Sequence, residues 1–146
     1  MGKIALVTGG TRGIGAAIAT KLKEDGYTVV SSYVGNTEKA DEFSKNTGIK
    51  TYKFDAGYFE SCQKVVEEIE NDLGSNIDIV VNNAGITRDK FFHKMAPEDW
   101  SAVINTNLNS MFNITRSVIE KMRAKKFGRI ISIGSINGLK GQVGQS

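Results

Sequence analysis

Short apolar runs alternate along this chain with segments in which apolar residues recur every three or four positions. The apolar runs predict five strands, at Ile4–Val7, 27–32, 49–54, 77–81 and 129–133. They are mainly continuous rather than alternating runs, which is typical of strands that are buried on both faces. The regular spacing between them predicts helices over 13–25, 37–45 and 60–73, each closed by a glycine or a polar turn.

The longest helical pattern begins at Pro97 and is predicted to continue through Met122. Proline at a first helical position, followed here by Glu98 and Asp99, is a common start signal. An apolar stripe then follows at helical spacing, formed by Trp100, Val103, Ile104, Leu108, Met111 and Phe112. Asn107 interrupts this stripe where a core leucine is expected, so we predict either a functional role or a kink at that position.

Five alternations of strand and helix predict parallel strands covered by helices on both faces. The expected fold is therefore a doubly wound, Rossmann-type α/β sheet. A length of 146 residues fits one domain, here a single nucleotide-binding domain over 1–146. Since no further strand follows the fifth, we expect that strand to form an exposed edge and the domain to be truncated there.

Composition excludes several other classes of function. The chain has 19 basic and 16 acidic residues, and the one basic run, at 121–126, is better explained as a solvated helix end than as a nucleic-acid surface. A lone Cys62 and a lone His93 indicate neither a disulfide framework nor a metal site. Neither a signal peptide nor an apolar membrane span is apparent, so we expect a cytoplasmic protein.

A glycine-rich turn joins the first strand to the first helix, with the sequence TGGTRGIG over residues 8–15. A strand before it and a helix after it provide the context of a dinucleotide-binding turn, where glycines allow close backbone approach and the helix N-terminus attracts a pyrophosphate. A turn without a ligand is the simpler alternative. The predicted cofactor-binding residues here are Gly9, Thr11, Arg12, Gly13, Ile14 and Gly15.

The segment after the second strand indicates which dinucleotide would bind. NAD sites usually place a carboxylate there for the ribose 2′-hydroxyl, but residues 31–36 contain none. Arg12 could pair with a 2′-phosphate through charge-assisted hydrogen bonds. NADP(H) is therefore favoured over NAD(H), unless Arg12 is an ordinary solvated loop arginine.

In five features the sequence resembles the short-chain dehydrogenase/reductase family. They are the TGGTRGIG turn, Asp55 after the third strand, NNAG at 82–85, Asn107 in NTNL and Ser135 after the fifth strand. The resemblance implies that Asn107 and Ser135 belong to a catalytic Asn-Ser-Tyr-Lys tetrad. It also implies contacts to the cofactor from residues at the ends of three strands, namely Tyr33, Asn36, Asp55, Asn83, Ala84 and Gly85.

Two longer stretches, NNAGITRDKFFHKM and SINGLKGQVGQ, narrow the resemblance. They look like the NADPH-dependent acetoacetyl-CoA reductases of polyhydroxybutyrate synthesis, whose near relatives are the 3-oxoacyl-acyl-carrier-protein reductases. The implied substrate is an acyl thioester, near Asp89, Lys94, Gln142 and Gln145, and the implied assembly is a homotetramer. More simply, Asp89 and Lys94 could form a weak loop pair, and the two glutamines could be ordinary polar loop residues.

The Tyr-x-x-x-Lys part of the tetrad is expected just beyond Ser146, by the same resemblance. The tyrosines present, Tyr27, Tyr33, Tyr52 and Tyr58, all lie near the second and third strands. We therefore keep two other hypotheses beside the reductase. The chain could be a catalytically inactive nucleotide-binding fragment, or an interaction module that uses the long helix from Pro97.

Overall fold

The computed structural model describes residues 2–145, and its centre is a five-stranded parallel sheet in the order β3-β2-β1-β4-β5. Each predicted strand is present within one residue of its expected limits. The strands are β1 Ile4–Val7, β2 Thr28–Tyr33, β3 Lys50–Lys53, β4 Ile77–Asn82 and β5 Arg129–Ser132.

Five α-helices connect or follow these strands. They are α1 Gly13–Glu24, α2 Thr37–Thr47, α3 Phe59–Leu73, α4 Pro97–Ile104 and α5 Ser110–Lys125, with short 3-10 turns at Phe92–Lys94 and Ile136–Gly138. A π-helical turn, Asn105–Asn109, joins α4 to α5. The helix predicted from Pro97 is thus continuous in its course but contains one wider turn around Asn107.

Helices cover both faces of the sheet, as the pattern of apolar runs predicts. Within β1, Ile4 and Leu6 belong to one buried cluster, while Ala5 and Val7 belong to the other. The first cluster contains the buried sides of α3 and α5, and the second is completed by α1 and α2. Successive strand residues point to opposite faces, so a strand buried on both sides must be apolar throughout.

Two buried carboxylates bind the backbone at the amino-terminal ends of β1 and β4. Asp78 accepts hydrogen bonds from the backbone N–H of Ile4 (2.9 Å) and from Nζ of Lys125 (2.7 Å). Glu70 accepts one from the N–H of Ile77 (3.0 Å) and forms an ion pair with Lys121. Two lysines of the basic run therefore neutralise buried acids, in addition to lying near the C-terminal end of the α5 dipole.

The apolar stripe expected on the long helix is not a core stripe. Trp100, Leu108 and Phe112 are 49%, 57% and 65% exposed, whereas α5 buries Ile114 and Val118. The π-helical turn inserts extra backbone, which rotates α5 relative to α4. Positions that lie on one face of an uninterrupted helix are thereby divided between two faces.

The edge strand β5 is exposed along its length, with Ile130 and Ile131 at 39% and 47% exposure. This agrees with the expected exposed edge. Within residues 2–145, no helix is both long enough and apolar enough to span a bilayer.

Lys126, which ends α5, is the one described non-glycine residue with a positive φ, at 54°. A Cβ in this left-handed conformation clashes with the backbone, whereas glycine adopts it freely. We predict that Lys126→Gly raises the free energy of unfolding in urea by about 1 kcal/mol. Lys45→Gly, within α2, is the matched control and should lower it by roughly 0.5–1 kcal/mol. Destabilisation by Lys126→Gly would contradict this explanation.

Candidate dinucleotide-binding site

The order of the strands reverses beside β1, because the chain continues to β2 on one side of it and later to β4 on the other. In open parallel sheets, such a switch point leaves a crevice at the carboxyl ends of the strands, where ligands bind. The glycine turn follows β1, and Asn83 follows β4, so both lie at this crevice.

Thr8 joins these two segments. Its Oγ1 accepts hydrogen bonds from the backbone N–H groups of Asn83 and Ala84, both at 3.0 Å. In return, Nδ2 of Asn83 donates to the carbonyl oxygens of Thr8 (3.0 Å) and Gly9 (3.1 Å). The start of the glycine turn is thus held directly against the loop that follows β4.

The other side of the glycine turn is held by Ser32 at the end of β2. Ser32 Oγ accepts from the N–H of Gly9 (3.1 Å), and its carbonyl oxygen accepts from Gly10 (3.0 Å). A Cβ at Gly10 would lie 2.6 Å from Oγ of Ser31. Because that separation is too short for any side chain, Gly10 is needed for the turn to pack against β2.

Gly13 and Gly15 have different reasons to be glycine. Gly15 lies against the turn, where a Cβ would approach the Gly9 carbonyl oxygen to 2.4 Å. Gly13 has a φ of 53° and faces open space, since a Cβ at this position would have no neighbouring side chain or loop within 4 Å. The backbone at the start of α1 is therefore bare toward the crevice, as close approach of a pyrophosphate requires.

The electrostatics of this helix start suit an anion. The first turn of α1 contains no acidic residue, and the side chain of Arg12 at its N-cap does not cap the helix. The first N–H groups of a helix lack intrahelical partners and carry the positive end of its dipole. Together with the bare glycines, they fit the pyrophosphate of a dinucleotide.

Two adjoining pockets contain every cofactor-binding residue predicted from the sequence. The first is lined by Gly9, Thr11, Arg12, Tyr33, Asn36, Asp55, Ala84 and Gly85, among others. The second adds Gly13, Ile14, Gly15 and Asn83, and it shares Gly9, Arg12, Ala84 and Gly85 with the first. The structure thus brings together residues that follow β1, β2, β3 and β4.

Local hydrogen bonds shape the first pocket. Asp55 Oδ1 accepts from the N–H of Gly57 (2.8 Å), and Asn36 Oδ1 accepts from the N–H of Lys39 (2.9 Å), which caps α2.

The lone cysteine of the chain, Cys62, is not part of the chemistry of this site. Its thiol is buried and donates a hydrogen bond to the Ala56 carbonyl oxygen at 3.4 Å. Burial, followed by the nearby Asp55 charge, raises the pKa of Cys62 to about 12, so it is not a reactive thiolate near neutral pH.

Asn107 connects the π-helical turn to the loop after β4. Its Oδ1 accepts from the N–H of Ile86 (2.8 Å), and its Nδ2 donates to the carbonyl oxygen of Ile86 (2.9 Å). The polar side chain on the apolar stripe thus has two backbone partners. It holds Ile86, which lines the first pocket.

Ser135 follows β5 and is exposed, and it caps the 3-10 turn Ile136–Gly138. Its Oγ accepts a hydrogen bond from the N–H of Asn137 at 3.2 Å. Since that bond uses a lone pair of the hydroxyl, the Ser135 proton can be donated to another group.

Three of the four predicted substrate residues belong to one connected region. Gln145 donates to Asp89 (3.1 Å), and both Gln142 and Gln145 accept from Nδ2 of Asn137. Lys94 lies apart from them in the turn Phe92–Lys94. The hydrogen-bond donor to Asp89 is Gln145, and among residues 2–145 no ion pair joins Asp89 to Lys94.

The loop that carries Asp89 is also tied to α4. Lys90 Nζ lies 2.5 Å from Oδ2 of Asp99. The hydrogen bond from Lys90, assisted by the charge of that lysine, holds the pKa of Asp99 below its ordinary value. The ion pair connects this loop to the start of α4.

Several residues of the site were not predicted from the sequence. Thr8 begins the TGGTRGIG motif, and Ser32 ends the second strand, so their positions are visible in the sequence although their hydrogen bonds are not. Lys39 lines the first pocket from the first turn of α2. No sequence signal distinguishes Asn137, because its side chain meets Gln142 and Gln145 only through the fold of the segment after β5.

The bare glycine turn, the helix start and the switch point define a Rossmann-type dinucleotide-binding site. The family model for short chain dehydrogenases matches residues 3–146. This chain belongs to the short-chain dehydrogenase family, which confirms the resemblance and implies a nicotinamide cofactor.

Curated relatives of this chain include reductases of two kinds. Acetoacetyl-CoA reductases from Shinella zoogloeoides and Rhizobium meliloti are 55% and 53% identical to it, over 100% and 99% of this chain. A 3-oxoacyl-acyl-carrier-protein reductase from Haemophilus influenzae is 43% identical over 99% of it. The chain spans 60% of the length of each of these relatives.

The contacts of Thr8 generate a prediction for this site. Thr8→Val keeps the shape of the side chain but leaves the N–H groups of Asn83 and Ala84 without their acceptor. We expect the free energy of unfolding in urea to fall by about 2 kcal/mol and binding of a nicotinamide dinucleotide to weaken with it. Thr51→Val, on β3, is the matched control and should change neither quantity appreciably. Equal effects of the two substitutions would contradict the assigned role of Thr8.

Proposed function

We propose that this chain forms the cofactor-binding part of an NADPH-dependent reductase that converts acetoacetyl-CoA to the 3-hydroxyacyl thioester, as in polyhydroxybutyrate synthesis. The observation that carries the proposal is that Asn107 holds Ile86 in the wall of the pocket lined by the glycine turn and Asp55, while Ser135 follows β5, the strand paired with β4. The names of the relatives at 53–55% identity support the substrate class.

Preference for NADP(H) is supported by the cationic residues of the first pocket, the one that contains Tyr33 and Asn36. Arg12 and Lys39 both line it, together with Tyr33 and Asn36, while no acid occurs among residues 31–36. A 2′-phosphate carries extra negative charge and pairs well with guanidinium and ammonium groups. Residues 31–36 contain no carboxylate that would repel this phosphate.

In the proposed reaction, the bound nicotinamide supplies the hydride, and the protein stabilises the oxygen that becomes negative. The Ser135 hydroxyl donates a hydrogen bond to that oxygen, since its lone pair is already held by the N–H of Asn137. Asn107 acts by holding Ile86 in the wall of the pocket. The glycine turn and the first N–H groups of α1 bind and orient the pyrophosphate.

The proton donor is proposed to be a tyrosine in the part of the relatives' length that this chain does not span. Among the tyrosines present, Tyr52 donates its hydroxyl to Asp72 at 2.8 Å, and Tyr33 lines the cofactor pocket. Tyr27 and Tyr58 flank β2 and α3. The hypothesis of an inactive nucleotide-binding chain therefore applies to these 146 residues taken alone.

An acyl-carrier-protein thioester is the second candidate substrate. It is favoured by the 43% identity to the Haemophilus influenzae relative, and acetoacetyl-CoA is favoured by the higher identities of the acetoacetyl-CoA reductases. The chemistry at the ketone is the same in both. The two substrates differ only in the group that carries the thioester, coenzyme A or the acyl-carrier protein, so the values of kcat/KM for the two distinguish them.

NADPH oxidation should be followed with acetoacetyl-CoA and with acetoacetyl-acyl-carrier protein. Two proteins are compared: this chain, and an extended chain in which it is followed by the remaining C-terminal part of the Shinella zoogloeoides reductase. We expect turnover by the extended chain, with the higher kcat/KM for acetoacetyl-CoA. NADPH binding without turnover by either protein would favour the nucleotide-binding alternative, and no NADPH binding would contradict the whole proposal.

Cofactor preference gives a separate prediction. Arg12→Ala and Lys39→Ala should each weaken NADPH binding, Arg12→Ala by about 10-fold or more, because a charge-assisted hydrogen bond is lost. NADH binding should stay within about 2-fold. Dissociation constants from NAD(P)H fluorescence provide the measurement, with Lys45→Ala on α2 as the matched control. Parallel losses for both dinucleotides would show that these cations do not recognise the 2′-phosphate.

A homo-oligomer, a tetramer by the family resemblance, is proposed to form through the outer face of α4 and α5. Trp100, Leu108 and Phe112 are exposed there, and residues 101–115 contain no ionisable side chain. The central part of a protein interface is depleted of charge and enriched in aromatic residues. This face has both properties.

Charge placed on that face should dissociate the assembly. We predict that Phe112→Glu converts the oligomer to monomers because it buries an unpaired carboxylate between subunits. Light scattering after size exclusion gives the mass of each variant. Leu139→Glu, at a 92% exposed apolar residue elsewhere, should leave the mass unchanged. A monomeric parent chain, or an oligomeric Phe112→Glu, would contradict the proposed interface.

A further inference from the structure

A relay of side-chain amides joins the loop after β4 to the segment after β5. Gln145 Nε2 donates to Asp89 Oδ2 at 3.1 Å. Asn137 Nδ2 donates to Gln145 Oε1 at 2.7 Å and to Gln142 Oε1 at 2.9 Å. Asn137 is therefore the centre of the relay, although it is not among the residues that the family resemblance implies.

The relay has a direction, which its carboxylate end sets. An ionised carboxylate accepts hydrogen bonds and cannot donate them, so Asp89 orients the NH2 group of Gln145 toward itself. The side-chain oxygen of Gln145 then faces Asn137, so the NH2 group of Asn137 must be the donor to it. The two hydrogens of that group serve one glutamine oxygen each.

The far end of the relay is the amide of Gln142. Because its oxygen is held by Asn137, its Nε2 group is turned away from the relay. Within residues 2–145, this Nε2 has no hydrogen-bond partner, and Gln142 is exposed. The relay thus presents a donor, rather than an acceptor, beside the turn that carries Ser135.

Asn137 also contacts Ser135 through its backbone. Its N–H donates to Ser135 Oγ at 3.2 Å, while its side chain holds the two glutamines. One residue therefore fixes both the candidate oxyanion donor and the orientation of Gln142. Neighbouring backbone contacts support the same arrangement, since the N–H of Gln145 donates to the Gln142 carbonyl oxygen at 3.0 Å.

We propose that Asn137 is a positioning residue that turns the Gln142 amide so that its N–H donates to a carbonyl oxygen of the substrate. The inference rests on the proposed function, because the carbonyl belongs to the 3-oxoacyl thioester. The oxygens of such a substrate are hydrogen-bond acceptors, which the exposed NH2 group matches and a reversed amide would repel.

Asn137→Asp tests the proposal because it replaces the central donor by an acceptor of the same shape. The glutamine oxygens are then repelled, and the Gln142 amide reverses. In the extended chain, KM for acetoacetyl-CoA should rise about 3- to 10-fold, the loss of one neutral hydrogen bond, with kcat unchanged within about 2-fold. Asn46→Asp, an exposed amide on α2 changed in the same way, is the matched control and should leave KM unchanged.

A double-mutant cycle separates positioning from a general structural effect. Gln142→Leu removes the donor itself, so Asn137→Asp should raise KM no further in that background. Additive effects of the two substitutions would overturn the inference. So would a KM for Asn137→Asp equal to that of the parent.

Side-chain amide resonances of the isotope-labelled 146-residue chain test the relay without turnover. Asp89→Asn removes the fixed polarity and should shift the NH2 resonances of Gln142, which Asp89 does not contact. Unshifted Gln142 resonances would overturn the relay even in an active enzyme. Shifted resonances in an extended chain that reduces neither thioester would support the relay and show instead that the proposed function is wrong.

Discussion

The hydrogen bonds between Thr8 and the Asn83 segment are the constraint on which the site depends. They join the carboxyl ends of β1 and β4, which are neighbours in the sheet but are separated by two other strands in the sequence. Their net free energy is small, as for any hydrogen bond exchanged with water. The cost of leaving the N–H groups of Asn83 and Ala84 unpaired in this half-buried place is larger, and it makes the arrangement specific.

The same principle organises the wall opposite the glycine turn. Asn107 satisfies both backbone groups of Ile86, and Gln145 joins the segment after β5 to Asp89 in the loop after β4. These contacts are made by amide side chains, which can donate and accept at the same time. An amide can therefore link two loops that cannot pair through their own backbone groups. An apolar side chain could not do so, because it forms no hydrogen bonds.

Most of the fold follows from local patterns. All five strands lie within one residue of their predicted limits, since a strand buried on both faces has a nearly continuous apolar sequence that ends where the polar turn begins. The long helix is the informative failure. Its stripe from Trp100 to Phe112 indicates one buried face, but the π-helical turn at Asn105–Asn109 divides that face, and three of its large side chains are exposed. A π-helical turn changes the direction in which the following side chains point, but it leaves the spacing of apolar residues in the sequence unchanged.

By itself, the sequence determined the strand and helix segments, the parallel sheet with two covered faces and the residues of the glycine turn, because these depend on neighbours a few positions apart. The tertiary structure decided which of those residues meet. The order of the strands puts Thr8 beside Asn83, and the loops after β4 and β5 put Asp89 beside Gln145. Such contacts join segments far apart in the chain, so no spacing within the sequence can contain them.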